Sequence, residues 1–234
     1  MKTLAILPAY NEEGKIIISI KDIKPYVDQV LVVNDGSTDN TETEAKKEGI
    51  VVITHKKNMG VGAAFKTAIR YAQENNYDVC IHFASDNQDD ASYVPKFIEK
   101  IKQGYDFVQG SRYIKGGKRI NHPLFRILTT YSYSLIFSLI TFKRITDATN
   151  GFRAYRTEIF KNKNINISQD WLNRYELEPY FFYKVIKEGF KVTEIPVLKR
   201  YPKNKKIGYT KMKPFKDWWR ITRPLLYLRL GLKK

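Results

Sequence analysis

Along the first half of the chain, short runs of uninterrupted apolar residues alternate with longer segments whose apolar residues recur at helical spacing. Leu4-Ala5-Ile6-Leu7 is the first such run and is ended by Pro8; Val30 to Val33 is the second and is ended by the turn residues Asn34-Asp35-Gly36-Ser37. Val51-Val52-Ile53 and Val79 to Phe83 are the third and fourth, the last closing at Asp86. Between them, Glu12 to Lys21 carries a helical pattern. Thr41 to Glu48 reads as a helix capped by Ser37 or Thr38, and Gly60 to Asn75 as a helix with small residues at its start. Strands that are apolar throughout, rather than alternating, are covered on both faces. The pattern therefore predicts an α/β fold with a mostly parallel central sheet and helices on either side. Ligands in such sheets bind beyond the carboxyl ends of the strands. Tyr10-Asn11-Glu12, Asp35 and Asp86 fall there.

The second half is less regular. Phe107 to Gly110 reads as a strand and Ser111 to Asn121 as a basic loop. Phe125 to Phe142 is an apolar, Ser/Thr/Tyr-rich helix with Phe125, Leu128, Leu135, Ile136 and Leu139 on one face. Its uncharged stretch is shorter than the ~20 residues that cross a bilayer, which leaves a core helix or a helix on a membrane surface. Tyr175 to Lys187 is expected to be helical and Val192 to Leu198 extended. With no internal repeat, residues 1–212 are expected to form one domain in two halves, 1–110 and 111–212. Residues 213–234 are expected to form a basic amphipathic tail. Trp218-Trp219-Arg220 and Tyr227-Leu228-Arg229-Leu230 suit a helix lying on anionic lipid, or one docked on the domain.

Composition narrows the setting. With 43% apolar residues the chain can bury a core. A single cysteine, Cys80, makes no internal disulfide or zinc cluster, which fits a reducing compartment. The N-terminus runs directly into a strand without the apolar core of a signal peptide, so cytosolic synthesis is expected. The net charge of +17 calls for an anionic partner, and the Lys and Arg residues crowd into the segment from Lys184 to Lys234. No zinc-finger, helix-turn-helix or base-stacking signal accompanies that charge, so nucleic acid is not the expected partner. An anionic membrane surface or a phosphorylated substrate is. Together these place the protein in the cytoplasm, peripherally attached to the cytoplasmic face of a membrane.

Three strand ends carry chemistry: Pro8-Ala9-Tyr10-Asn11-Glu12, Asn34-Asp35-Gly36-Ser37-Thr38-Asp39 and Ser85-Asp86-Asn87-Gln88-Asp89-Asp90. A nucleotide-diphosphate sugar needs hydrogen bonds to its base and ribose, which suits Asp35 and Glu12, and a divalent cation on its diphosphate, which suits Asp86. In this order and spacing the segments resemble the family 2 glycosyltransferases. Pro8, Tyr10, Asn11 and Glu12 match the family's first donor-binding segment. Asn34-Asp35-Gly36-Ser37 matches its Asp-Asp-Gly-Ser signature with Asn for the first Asp, and Asn58-Met59-Gly60-Val61-Gly62 matches its Asn-x-Gly-x-Gly loop. The family's Asp-x-Asp followed by Gln appears as Ala84-Ser85-Asp86-Asn87-Gln88, so one carboxylate is missing. The resemblance implies a GT-A fold, a UDP- or GDP-sugar donor, and Mg²⁺ or Mn²⁺ on Asp86 and Gln88.

Later segments resemble one branch of that family, the polyprenyl-phosphate sugar synthases that include the dolichyl-phosphate mannose synthases. They are Gly110-Ser111-Arg112-Tyr113, Arg126, Asp147-Ala148-Thr149-Asn150-Gly151-Phe152-Arg153, and Arg200 with Gly208-Tyr209-Thr210-Lys211. The resemblance implies donor contacts from Pro8, Tyr10, Glu12, Asp35, Gly60, Asp86, Arg200 and Lys211, and acceptor contacts from Arg112, Arg126 and Arg153. Asp86 and Arg112 would carry catalysis, with Asp147 as base where the acceptor is a hydroxyl. The implied reaction is inverting transfer of a hexosyl group to a polyprenyl phosphate. The alternatives are transfer to a saccharide or lipid-linked glycan in surface polysaccharide assembly and, from another class, a nucleotide-sugar-binding module without turnover, because of Ala84, or a nucleic-acid-binding protein, because of the charge of +17.

Overall fold

A computed structural model describes residues 1–202, 212–213 and 215–233. Seven strands form one sheet: β1 (Thr3–Ala9), β2 (Gln29–Asn34), β3 (Val51–Thr54), β4 (Val79–His82), β5 (Phe107–Ser111), β7 (Arg153–Arg156) and β8 (Val192–Pro196), in the order β3-β2-β1-β4-β7-β5-β8. The pairings β1–β2, β2–β3, β1–β4 and β5–β8 are parallel, and β7 runs antiparallel to both its neighbours. A small second sheet pairs β6 (Lys118–Ile120) with β9 (Leu198–Arg200).

The apolar strand runs divide by parity, because successive side chains leave a strand on opposite faces. Leu4, Ile6, Leu31, Val33, Cys80 and Phe107 enter one core, and Ala5, Leu7, Val30, Val32, Val79, Ile81 and Val108 enter the other. The first core is covered by α3 (Val61–Glu74) through Ala64, Phe65, Ala68 and Ile69, and by α6 (Leu177–Lys187) through Leu177, Phe181, Phe182 and Val185. The second is covered by α1 (Ile16–Ile23), α2 (Thr41–Lys47) and α4 (Val94–Lys102). The α/β, mostly parallel sheet expected from the sequence is therefore the fold observed.

Some local expectations are corrected. α4 and β7 were not anticipated. Neither Ser37 nor Thr38 caps α2; the Asp39 carboxylate takes the Thr41 N–H at 3.0 Å. The Ser37 hydroxyl instead accepts the Asn11 N–H at 2.9 Å, and the Thr41 hydroxyl accepts the Glu12 N–H at 2.7 Å. These bonds fasten the segment after β1 to the turn after β2.

Helix α5 (Leu124–Thr141) is not a core helix: of its residues only Ser134 and Phe137 are buried. The expected apolar face lies in the open, with Phe125 59%, Leu128 65% and Leu139 66% exposed. The C-terminal helix α7 (Lys216–Arg229) is docked on the domain. Glu176, just before α6, pairs with Arg223 and with Arg220 of α7, and Leu225 of α7 is buried in the first core.

Candidate active site

The carboxyl ends of β1, β2 and β4 open into a cleft of about 730 Å³. Pro8, Tyr10, Glu12, Asp35, Gly60, Asp86, Gln88, Arg112 and Arg126 all line it. The three strand-end segments thus converge on one site.

Asp35 is nearly saturated by the protein. Its Oδ1 accepts the Met59 N–H at 2.9 Å and faces His55 Nδ1 at 2.7 Å, while Oδ2 accepts the Gly60 N–H at 2.7 Å. One buried carboxylate thereby fixes the loop that starts α3. Gly60 sits at φ +105°, and a Cβ there would meet the Asn173 carbonyl at 2.5 Å, so only glycine fits. Asn34 stands where the family signature has an aspartate, and its side-chain N–H donates to Glu42 at 3.3 Å, which a carboxylate could not do.

Asp86 is half-buried and its Oδ1 accepts the Gln88 N–H at 3.1 Å. Burial raises its carboxyl above the ordinary range, Lys199 opposes that rise, and Asp89 and Glu12 add to it. Ala84 contributes no side-chain oxygen; its N–H donates to Asp89 Oδ2 at 3.2 Å. Among the described residues no three His, Cys, Asp or Glu side chains share a metal-binding position. Asp86 with Gln88 still fits a hard cation that keeps several waters and takes its remaining oxygens from substrate phosphates.

Across the cleft, Arg112 is buried and its guanidinium is held by four hydrogen bonds to three residues. Its Nε donates to Asp147 Oδ2 at 2.7 Å, and its Nη2 to Asp147 Oδ1 at 2.8 Å and Thr149 Oγ1 at 2.7 Å. Its Nη1 donates to the Tyr201 hydroxyl at 2.6 Å. The Arg126 guanidinium lies 5.9 Å from the centre of the Tyr201 ring.

Three expected site residues lie elsewhere. Asp147 is fully buried behind Arg112 rather than on the cleft wall, so it is not placed to take a proton from an acceptor. Arg153 is 1% exposed inside the core, donating to the Asn150 carbonyl at 2.6 Å and flanked by the Phe107 and Phe182 rings, because β7 inserts between β4 and β5. Arg200 points outward and pairs with Asp90 at 3.0 Å. Lys211, with Gly208-Tyr209-Thr210, lies outside the described residues.

Residues not expected at the site from the sequence line the cleft instead. Lys199, the neighbour of Arg200 on β9, faces the cleft beside Asp86 and pairs with Asp89 at 2.8 Å. Glu178 of α6 lines the cleft 3.4 Å from His82 Nδ1, and burial lowers the His82 pKa to about 4. Lys216 and Arg220 of α7 complete the basic side. A strand's alternation could have nominated Lys199; Arg220 stood out only as part of the basic tail, and nothing in the sequence marks Glu178 or Lys216.

A mostly parallel sheet of this order, with acidic strand ends facing a basic wall across one cleft, is the GT-A fold. The sequence profile described as Glycosyl transferase family 2 matches residues 4–162, and the chain belongs to that family. An undecaprenyl-phosphate mannosyltransferase of Micrococcus luteus is 28% identical over 204 residues, covering 84% of this chain and 83% of that one. A UDP-N-acetylglucosamine–dolichyl-phosphate N-acetylglucosaminyltransferase of Methanococcus voltae is 29% identical, covering 97% and 95%. Among solved structures, the glucosyl-3-phosphoglycerate synthase of Mycobacterium tuberculosis, crystallised with Mn²⁺, UDP and its product, superposes with a TM-score of 0.73 at 16% identity, covering 100% of this chain and 81% of that one. That likeness concerns the fold.

Proposed function

We propose that this glycosyltransferase moves a hexosyl group, with inversion, from a UDP- or GDP-sugar to a polyprenyl phosphate at an anionic membrane surface. One observation carries the proposal: the helices that supply cations to the cleft also carry the exposed apolar residues. Arg126 lines the cleft from α5, and Lys216 and Arg220 line it from α7. On the same two helices Leu124, Phe125, Leu128, Leu139, Trp218 and Trp219 are exposed, and the Phe125 and Trp218 rings lie 5.6 Å apart. An anionic head group entering the cleft would leave its hydrocarbon chain against that apolar surface. The names of the two relatives support the same acceptor class.

A lipid phosphate is anionic at neutral pH and attacks the anomeric carbon without help from a base. Its charge must be met by fixed cations. In this reading Arg112, oriented by Asp147, and Arg126, over the Tyr201 ring, meet it; that both line the cleft supports this. Tyr10, Glu12 and the Asp35-anchored loop form the donor end. A divalent cation held by Asp86 and Gln88 would neutralise the departing diphosphate. The cytoplasmic face is the expected location, because nucleotide sugars are cytosolic reagents.

The test is incubation with a labelled nucleotide sugar, Mg²⁺ or Mn²⁺, and vesicles containing polyprenyl phosphate. An acid-labile, negatively charged glycolipid is expected. Label appearing only on added saccharides would overturn the acceptor assignment.

One feature favours a second reading, transfer to a sugar hydroxyl: Glu178 is a partly exposed carboxylate on the cleft wall and could accept the proton that the buried Asp147 cannot. Glu178→Gln separates the two. It leaves transfer to a phosphate nearly unchanged and stops transfer to a hydroxyl.

A further inference from the structure

We propose that Lys199 is a built-in cation for the donor diphosphate, standing on the side of the cleft where the family signature places the carboxylate that Ala84 lacks. The inference rests on the reading of the cleft as a nucleotide-sugar site. Four observations support it.

Lys199 is held in place from three directions. It is on β9, and the next residue, Arg200, donates its N–H to the Gln88 carbonyl at 2.8 Å. Lys199 also forms a backbone bridge with Asp89. Its ammonium pairs with Asp89 Oδ1 at 2.8 Å, and its side chain is only 12% exposed. The charge is therefore fixed to the same loop as Asp86 and is not a solvated surface lysine.

Asp89 does not use up the donors of that ammonium. An ammonium has three N–H donors, and Asp89 takes one. The other oxygen of Asp89 is occupied by the Ala84 N–H. Asp89 thus ties together the loop position that lost its carboxylate and the lysine beside it.

The lysine also faces the cleft, where it shares a wall with Glu12, Ser85, Asp86 and Gln88.

Finally, with Ala84 the metal position has a single Asp and a Gln, and among the described residues no three-carboxylate group. A site with fewer carboxylates binds a divalent cation less tightly. A fixed ammonium beside it would supply part of the neutralisation that the diphosphate needs, without a metal.

The experiment is calorimetric binding of UDP and GDP to the 234-residue chain, in EDTA and in Mg²⁺, for wild type, Lys199→Met and Lys199→Arg. In wild type, measurable binding in EDTA is expected, within about tenfold of that in Mg²⁺. Lys199→Met should weaken binding in EDTA by about tenfold or more, the size of a lost charged hydrogen bond, with a smaller loss in Mg²⁺. Lys199→Arg should keep most of the EDTA binding. Wild-type binding that appears only with metal would overturn the proposal without touching the donor-site reading. So would a folded Lys199→Met protein that binds in EDTA as wild type does. Absence of UDP and GDP binding in both buffers would instead refute the donor-site reading, and the role of Lys199 with it. The comparison of wild type in the two buffers stands even if Lys199→Met fails to fold.

Discussion

The Arg112 guanidinium lies along the Asp147 carboxylate, with Nε 2.7 Å from Oδ2 and Nη2 2.8 Å from Oδ1. Burial by itself would raise the Asp147 carboxyl, but the charge and hydrogen bonds of Arg112 outweigh it and hold the group below the usual range. A depressed carboxyl contributes stability that is present above the unfolded value near about 4 and is lost as pH falls through the folded value. Asp147→Ala leaves a buried arginine without its counter-charge, and a loss of about 3 to 5 kcal/mol is expected, or roughly 10 °C in melting temperature. The extra acid sensitivity carried by this pair should vanish in the variant. Replacing both residues, as in Arg112→Met with Asp147→Leu, should recover much of the stability while transfer activity stays lost. Melting curves from pH 3 to 8 decide it. A single variant as stable as wild type would mean that the pair does not hold this wall.

Gly62 is a test of close packing at the start of α3. Alanine is favoured over glycine inside a helix by about 1 kcal/mol. Here the added Cβ would lie 2.1 Å from the Leu172 carbonyl and 2.6 Å from the Arg174 carbonyl, both backbone atoms that cannot rotate away. The clash should win, and Gly62→Ala should destabilise by about 1 to 3 kcal/mol. Nucleotide binding should weaken too, because the same loop is anchored on Asp35. Chemical denaturation and UDP titration measure both effects; a stabilised variant would show that the segment from Leu172 to Arg174 yields.

The strands β1, β2 and β4 were legible because each is apolar on both faces, a pattern with few alternatives. β7 was not. Its residues are Arg-Ala-Tyr-Arg, and no periodicity announces that a strand with two arginines fills the middle of a sheet. α4, by contrast, was legible and went unread: Val94, Phe97, Ile98 and Ile101 recur at helical spacing with Pro95 in the first turn. The cleft's acidic side was legible because strand ends point to it, whereas the basic side depended on burial. Arg112 and Arg153 flank the same acceptor-like segment, yet one faces the cleft and the other sits between Phe rings. For Lys199 and Arg200 the difference is one step of strand alternation, which reverses the face.

Asp86 is the residue proposed to hold the cation on the donor diphosphate. Asp86→Ala removes a cleft carboxylate whose ionised form is disfavoured by burial and by Asp89 and Glu12. The fold should survive, with stability changed by less than about 1 kcal/mol, while kcat/KM falls by about 10² or more. Ala84→Asp tests the same position from the other side. A second carboxylate should tighten Mn²⁺ binding, read by the metal concentration that gives half-maximal nucleotide binding. An active Asp86→Ala protein would remove the assignment, and an Ala84→Asp protein with unchanged metal dependence would place the cation elsewhere.

The exposed face of α5 is the strongest physical argument for a membrane, because water gains nothing from contact with it. Leu128, Leu135 and Leu139 are 65%, 55% and 66% exposed. Burying apolar surface in lipid stabilises the bound state by about 25 cal/mol per Å². Converting all three leucines to glutamine should therefore weaken binding to vesicles by at least tenfold, a roughly 1.4 kcal/mol effect. The same residues contribute little to the folded core, so the melting temperature should barely move. The two contributions to attachment can be separated by lipid composition and salt. The apolar term should persist on neutral phosphatidylcholine vesicles. The part due to Arg126, Lys216 and Arg220 should require anionic lipid and fade as ionic strength rises. Transfer to a polyprenyl phosphate embedded in vesicles should fall with binding, while transfer to a short-chain, water-soluble analogue should not, because the cleft itself is intact. If the triple variant binds vesicles as wild type does, α5 is not the attachment surface. If it unfolds, the leucines belong to a packed interface and the membrane assignment for this face fails.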